Sequence, residues 1–167
     1  MKNILIVSAT SGNNYILAQE VESLFKTKQA NCKLIKLDDF SIPLYNPQLE
    51  KTTNNEDISK IDELFQNADG FIFCAPEYNG TIPPILTNAI AWISVKTSNW
   101  RGAFNGKTAL ICTHSGGVGN NFKNSLRIQL NHLGVIVLPR TISKTDDMPF
   151  KPDSASDILD QLISITV

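Results

Sequence analysis

The sequence is poor in cysteine, in net charge and in long apolar stretches. There are three cysteines, Cys32, Cys74 and Cys112. An odd count with no close spacing excludes a disulfide framework and a zinc site. Cys74 and Cys112 end the apolar runs Phe71-Ile72-Phe73-Cys74 and Leu110-Ile111-Cys112, where buried structural thiols in strands are expected. Lys and Arg number 15 against 16 Asp and Glu, a net charge of −1. This is neither the basic excess of a nucleic-acid module nor the acidity of a carrier that docks by charge. Near-neutrality also leaves little repulsion between copies, which permits self-association. No run approaches the roughly 20 apolar residues of a membrane span. The first apolar run, Ile4 to Val7, turns polar at Ser8, too early for a signal peptide. A soluble cytoplasmic protein is therefore expected, with no nucleic-acid or membrane partner.

What is present is a globular balance of 42% apolar and 19% charged residues over 167 positions. That length suits a single domain, residues 1–167, able to bury about 70% of its unfolded surface. Short apolar runs alternate with helix-period segments. Strands are expected at Ile4–Val7, Cys32–Leu37, Phe71–Ala75, Thr108–Thr113 and Val135–Leu138. Between them, helical faces are marked by Ile16, Leu17, Val21, Leu24 and Phe25, then by Ile58, Ile61, Leu64 and Phe65. Pro83 and Pro84 suit the first turn of the next helix, continued by Ile85, Leu86, Ala89, Ile90 and Ile93. Phe122, Leu126, Leu130 and Leu133 form another face, closed by Gly134. Ile158, Leu159, Leu162 and Ile163 form the last, with Asp153 or Ser154 as cap. Residues 40–54, with Pro43 and Pro47, read as a long loop. The βα alternation implies an α/β fold with a doubly wound parallel sheet and helices on both faces. Ligands of such sheets bind beyond the carboxyl ends of the strands, so the residues after the first, third and fourth strands are the candidate site.

After the first strand come Ser8, Ala9, Thr10, Ser11, Gly12, Asn13 and Asn14. Hydroxyls, amides and backbone N–H groups at a helix N-terminus suit a phosphate, with no metal or lysine required. The stretch is neither a dinucleotide fingerprint nor a P-loop, because the glycine and lysine spacings are missing. After the third strand come Pro76, Glu77, Tyr78, Asn79 and Gly80, then Thr81 to Pro84. Prolines stiffen this loop, Gly80 permits a tight turn, and exposed N–H groups can meet the edge of a planar ring. After the fourth strand come His114, Ser115, Gly116, Gly117, Val118 and Gly119, where glycines let backbone approach a flat ligand.

These residues resemble the NAD(P)H-dependent FMN reductases of the flavodoxin-like fold, a group that includes quinone, azo-dye and chromate reductases. The match is carried by Pro76-Glu77-Tyr78-Asn79-Gly80 with Pro83, Leu86, Asn88, Ala89, Ile90 and Trp92, by Phe104-x-Gly106-Lys107, and by Ser115-Gly116-Gly117 with Gly119. The resemblance implies a five-stranded sheet of order 2-1-3-4-5. It implies FMN with its phosphate on Ser8, Thr10, Ser11, Gly12, Asn13 and Asn14. Pro76, Glu77, Tyr78 and Asn79 would line the ring, and Ser115, Gly116 and Gly117 would touch its other side. NAD(P)H would be the co-substrate, a small-molecule electron acceptor the second substrate by ping-pong, and the protein a homodimer or homotetramer. The chain departs from the family's pattern in three places. The first loop has no arginine, and the helix after the third strand carries Thr87 and Ala91 in place of lysine and aspartate. The first loop also resembles that of flavodoxins, so an electron carrier is the alternative. His114 is read either as a strand-end structural residue or as a donor to an acceptor, and His132 as a surface residue. Glu77 is either a proton relay or a carboxylate bonding nearby N–H groups. Trp92 is read as packing or interface, and Trp100 as a border of the acceptor pocket.

Overall fold

The computed structural model describes residues 1–96 and 99–167. In chain order the elements are β1 (Lys2–Ser8), α1 (Asn13–Leu24), β2 (Ala30–Lys36), α2 (Pro47–Thr52), α3 (Glu56–Asn67), β3 (Gly70–Cys74), α4 (Pro84–Lys96), β4 (Thr108–His114), α5 (Asn120–His132), β5 (Ile136–Val137), β6 (Ile142–Lys144) and α6 (Pro152–Ile165). The strands run parallel in the order β2-β1-β3-β4-β5, and β6 also pairs with β4. This is the expected doubly wound order.

The alternation of side chains along each strand divides the apolar residues between two cores. Leu5, Val7, Phe71, Phe73, Ala109 and Ile111 face α3, α4 and α5, where Phe65, Phe71, Phe73 and Phe104 form an aromatic cluster. Ile4, Ile6, Ile72, Cys74, Leu110 and Cys112 face α1 and α6. With helices on both faces, β3 is apolar throughout and wholly buried. Cys74 and Cys112 are unpaired and buried, and burial pushes the Cys112 thiol well above its ordinary range. Among the described residues no helix is long and apolar enough to cross a membrane.

The structure corrects several expectations. Residues 40–54 are not all loop. Pro47 begins α2 at the position where its missing N–H costs nothing, and the Asn46 side chain caps the Gln48 and Leu49 amides. The fifth strand is two short pieces rather than Val135–Leu138. β5 pairs with the start of β4 and β6 with its end, and Pro139, which cannot donate to a ladder, lies between them. In α1 the buried face is Leu17, Ala18 and Val21, followed by Phe25, while Ile16 is half exposed. α6 starts at Pro152, so Asp153 adds first-turn charge and neither it nor Ser154 is the cap. Gly134 ends α5 with φ of +86°, as expected.

Candidate functional site

The register aligns the carboxyl ends of four strands, with Lys36 beside Ser8, Ser8 beside Cys74 and Cys74 beside Cys112. Three contacts then stitch the loops beyond them. The Ala9 amide donates to the Cys74 carbonyl at 2.9 Å. The Glu77 amide donates to Ser115 Oγ at 2.8 Å, and Ser115 Oγ also meets Thr113 Oγ1 at 2.9 Å. The Asn14 amide group accepts from the His114 N–H and donates to the His114 carbonyl, both at 2.8 Å. β3 stops at Cys74, so the sheet offers His114 nothing on that side, and Asn14 stands in for the absent strand residue.

In the first loop, Ser8 is buried and its hydroxyl donates to the Thr10 carbonyl. Asn14 is buried with its side chain committed to His114. Thr10 is half-buried, and Ser11, Gly12 and Asn13 are exposed. Gly12 precedes α1 and its carbonyl takes the first helical bonds, leaving the first-turn amides of α1 open for a ligand. The sequence signals missed Asp38, just past β2. Its carboxylate accepts from the Ser11 amide at 2.8 Å and from Ser11 Oγ at 2.5 Å. The strand order, which sets β2 next to β1, is the signal that could have found it.

The Glu77 carboxylate accepts from the Phe122 amide at 3.0 Å, satisfying a first-turn donor of α5. The reading of Glu77 as a carboxylate bonding nearby N–H groups therefore describes its contacts. Tyr78 and Thr81 exchange backbone hydrogen bonds around Asn79 and Gly80, whose φ values are +50° and +69°. Two positive φ angles in succession are the mark of a type I′ turn, and they explain the Asn-Gly pair. Tyr78 is half exposed beside it. The third loop is held by β6, where the Ser115 amide donates to the Lys144 carbonyl and Lys123 Nζ donates to Ser143 Oγ. Burial lowers the Lys123 ammonium below its usual value, against the opposing pull of Glu77.

Glycines at 12, 116 and 117 are informative because no neighbouring atom requires them, although Gly12, with ψ of −138°, also takes a backbone conformation that favours glycine. None has a positive φ, and a Cβ added at any of them meets nothing within 4 Å. Gly119 differs, since φ of +64° and the Thr113 side chain both exclude a larger residue. Open space over three such glycines at one sheet edge suits close approach by a ligand, and open helix-start amides beside them suit a phosphate.

Other candidates go elsewhere. His114 Nε2 lies 3.6 Å from Asp146, and its Nδ1 is buried without a partner among the described residues. Trp92 is fully buried and donates to the Pro43 carbonyl at 2.7 Å. Asn88 bonds the same carbonyl and the Tyr45 amide, so the α4 motif clamps residues 43–45. Trp100 does not border the site. Its ring packs at a tilt against that of His132 at the carboxyl end of α5, and its loop leads to the start of β4, at the opposite edge of the sheet. Thr97 and Ser98, which precede Trp100, lie outside the described residues. A cavity of about 640 Å³ opens between β2 and α3, walled by Leu5, Ile35, Phe40 and Leu64, and none of residues 8–14, 76–80 or 114–119 lines it.

The family model described as NADPH-dependent FMN reductase matches residues 1–147. A Mycoplasma pneumoniae protein is 30% identical over 105 residues, which is 62% of this chain and 60% of that protein. An NAD(P)H-dependent FMN reductase of Pseudomonas aeruginosa is 36% identical over 84 residues, 50% of this chain and 44% of that enzyme. The chain thus spans about half the length of these curated relatives. In overall fold it is similar to FerB, a flavoenzyme NAD(P)H:(acceptor) oxidoreductase of Paracoccus denitrificans. The TM-score is 0.77 at 19% identity, covering 99% of this chain and 96% of that one.

Proposed function

This chain belongs to the NADPH-dependent FMN reductase family, and from that premise we propose that it is an NAD(P)H-dependent oxidoreductase carrying FMN at the carboxyl edge of its sheet. The observation that carries the reading is the open space above Gly12, Gly116 and Gly117, beside the open first-turn amides of α1. When bound, FMN supplies the two-electron chemistry of hydride transfer.

The chain's own residues bind and orient. The amides of Gly12, Asn13 and Asn14, with Thr10, hold the phosphate. Pro76 to Asn79 line the ring, kept rigid by the Asn79-Gly80 turn and by the Ser115 bond to the Glu77 amide. Gly116 and Gly117 present backbone to the ring with no side chain in the way. Glu77 caps α5 and is a positioning residue rather than a proton relay. One set of loops then serves both substrates, so NAD(P)H and a small acceptor such as a quinone, an azo dye or a free flavin alternate over one face by ping-pong. Tyr78 and Val118 remain half exposed at the rim, apolar surface that suits contact with a second copy in a cytoplasmic homodimer or homotetramer.

The test is steady-state oxidation of NADH and NADPH with added FMN and a quinone, an azo dye or ferricyanide. FMN-dependent turnover with saturable flavin binding is expected. A chain that neither takes up FMN nor oxidises either nicotinamide with any of these acceptors would overturn the reading.

A further inference from the structure

We infer that Asp38 is an internal anion seated on the phosphate loop, and that it selectively weakens the site for phosphorylated flavin. The inference rests on the reading of residues 8–14 as the phosphate loop. Its basis is geometric. Asp38 lies just beyond the end of β2, and β2 pairs with β1 so that Lys36 stands beside Ser8. That register brings the Asp38 carboxylate onto Ser11, where one oxygen accepts both the amide, at 2.8 Å, and the hydroxyl, at 2.5 Å. These are the two donors Ser11 would otherwise offer a phosphate, and charge-assisted bonds of this length are among the stronger ones. Asp38 thereby occupies Ser11 as a phosphate oxygen would.

The charge is offset only in part, because the single ammonium of Lys36 bonds Asp39 directly and attracts Asp38 only through space. Lys36, at the end of the same strand, is paired with Asp39 at 2.8 Å and lies over the Tyr15 ring at 5.3 Å. The loop itself contains no lysine or arginine. Successive residues are about 3.8 Å apart along the chain, so a phosphate on the Gly12 and Asn13 amides lies at roughly a Debye length, about 8 Å, from the Asp38 carboxylate. At that range a dianion and a monoanion repel enough, even at the dielectric of water, to lower affinity about five- to tenfold. Riboflavin has no phosphate and escapes the penalty. The site therefore discriminates less between FMN and riboflavin than its amides alone would allow, and FMN exchanges more readily.

The experiment is fluorescence titration of the full chain with FMN and with riboflavin, comparing wild type, Asp38→Asn, Asp39→Asn and Gly12→Asp. Asp38→Asn keeps an acceptor for Ser11 and removes only the charge, and Asp38 is exposed, so a thermal melt should show an intact fold. The expected result is FMN affinity raised about five- to tenfold in dilute buffer, riboflavin affinity within about twofold, and a gain that shrinks at about 0.5 M salt. Asp39→Asn, already neutralised by Lys36, should do less. Unchanged or weakened FMN binding in Asp38→Asn, an equal gain for riboflavin, or an equal effect of Asp39→Asn would overturn the inference. Gly12→Asp separates this from the reading beneath it. If Gly12→Asp weakens FMN but not riboflavin, the loop is the phosphate site and Asp38 is judged on its own result. If Gly12→Asp leaves FMN binding unchanged, the phosphate placement itself fails, and the inference with it.

Discussion

Replacing Asn14 by alanine gives the sharpest test of how the site is held together. Asn14 is 2% exposed, and its amide spans from the first turn of α1 to the last residue of β4. Alanine would leave the His114 N–H and carbonyl without partners at the edge of the core. A buried polar group left unpaired costs about 1–3 kcal/mol, and partial access to water at this edge puts the pair at about 2–3 kcal/mol. Unfolding entropy of about 2.1 cal/mol/K per residue gives about 0.35 kcal/mol/K for a chain of this length, so Tm should fall by about 6–9 °C. Asn14→Asp keeps the acceptor for the His114 N–H but sets a carboxylate against the His114 carbonyl, and should cost at least as much. The assay is thermal and urea denaturation of the chain without flavin, beside FMN titration of the same variants. A stability loss is expected in the absence of flavin, because the side chain acts on the protein. An unchanged Tm with FMN affinity sharply reduced would refute it, since that pattern belongs to a side chain that touches the ligand.

Three further outcomes follow from the contacts described. Gly116→Val should leave Tm within about 1 °C, as a Cβ there has no neighbour within 4 Å, yet reduce FMN affinity at least tenfold in fluorescence titration; unaltered binding would move the ring elsewhere. Glu77→Leu should destabilise by about 1 kcal/mol through loss of the α5 cap, measured by urea denaturation, while Glu77→Gln retains an acceptor and most of that stability. A lost acid limb in the turnover profile of Glu77→Gln, without loss of stability, would restore it as a proton relay. Lys107 donates to the Phe65 and Gln66 carbonyls at the end of α3, and burial pulls its ammonium down to about 8, with Asp69 opposing. Its folded value lies below its unfolded one, so the unfolded chain binds the extra proton between pH 8 and 10.5 and stability should rise across that window. Lys107→Met should remove that rise from a series of denaturation curves, and a profile identical to wild type would refute the assignment.

The strand-end loops were legible because they obey local rules. A polar run directly after an apolar strand and before a helix marks a candidate phosphate loop by local chemistry alone. Proline and glycine after β3 mark a rigid turn by their own backbone chemistry. The family block from Pro76 to Trp92 was equally plain, but its division of labour was not. Glu77 caps a helix that begins 43 positions later, at Asn120, and Asn88 and Trp92 hold a loop that precedes them by more than 40 residues. Trp100 was misplaced for the same reason, because an exposed aromatic in a loop carries no local sign of which sheet edge it belongs to.

The sequence by itself determined the α/β alternation, the two-faced burial of β1, β3 and β4 and the three candidate loops, because periodicity, turn chemistry and helix-start chemistry act within a few residues. Tertiary structure alone decided what those loops are made of. It turned Asn14 into a substitute for a missing strand, split the last strand around Pro139, and brought Asp38 onto Ser11 across 27 positions of chain. Each depends on which strands become neighbours and in what register, and that choice is settled only when the whole sheet closes its two cores.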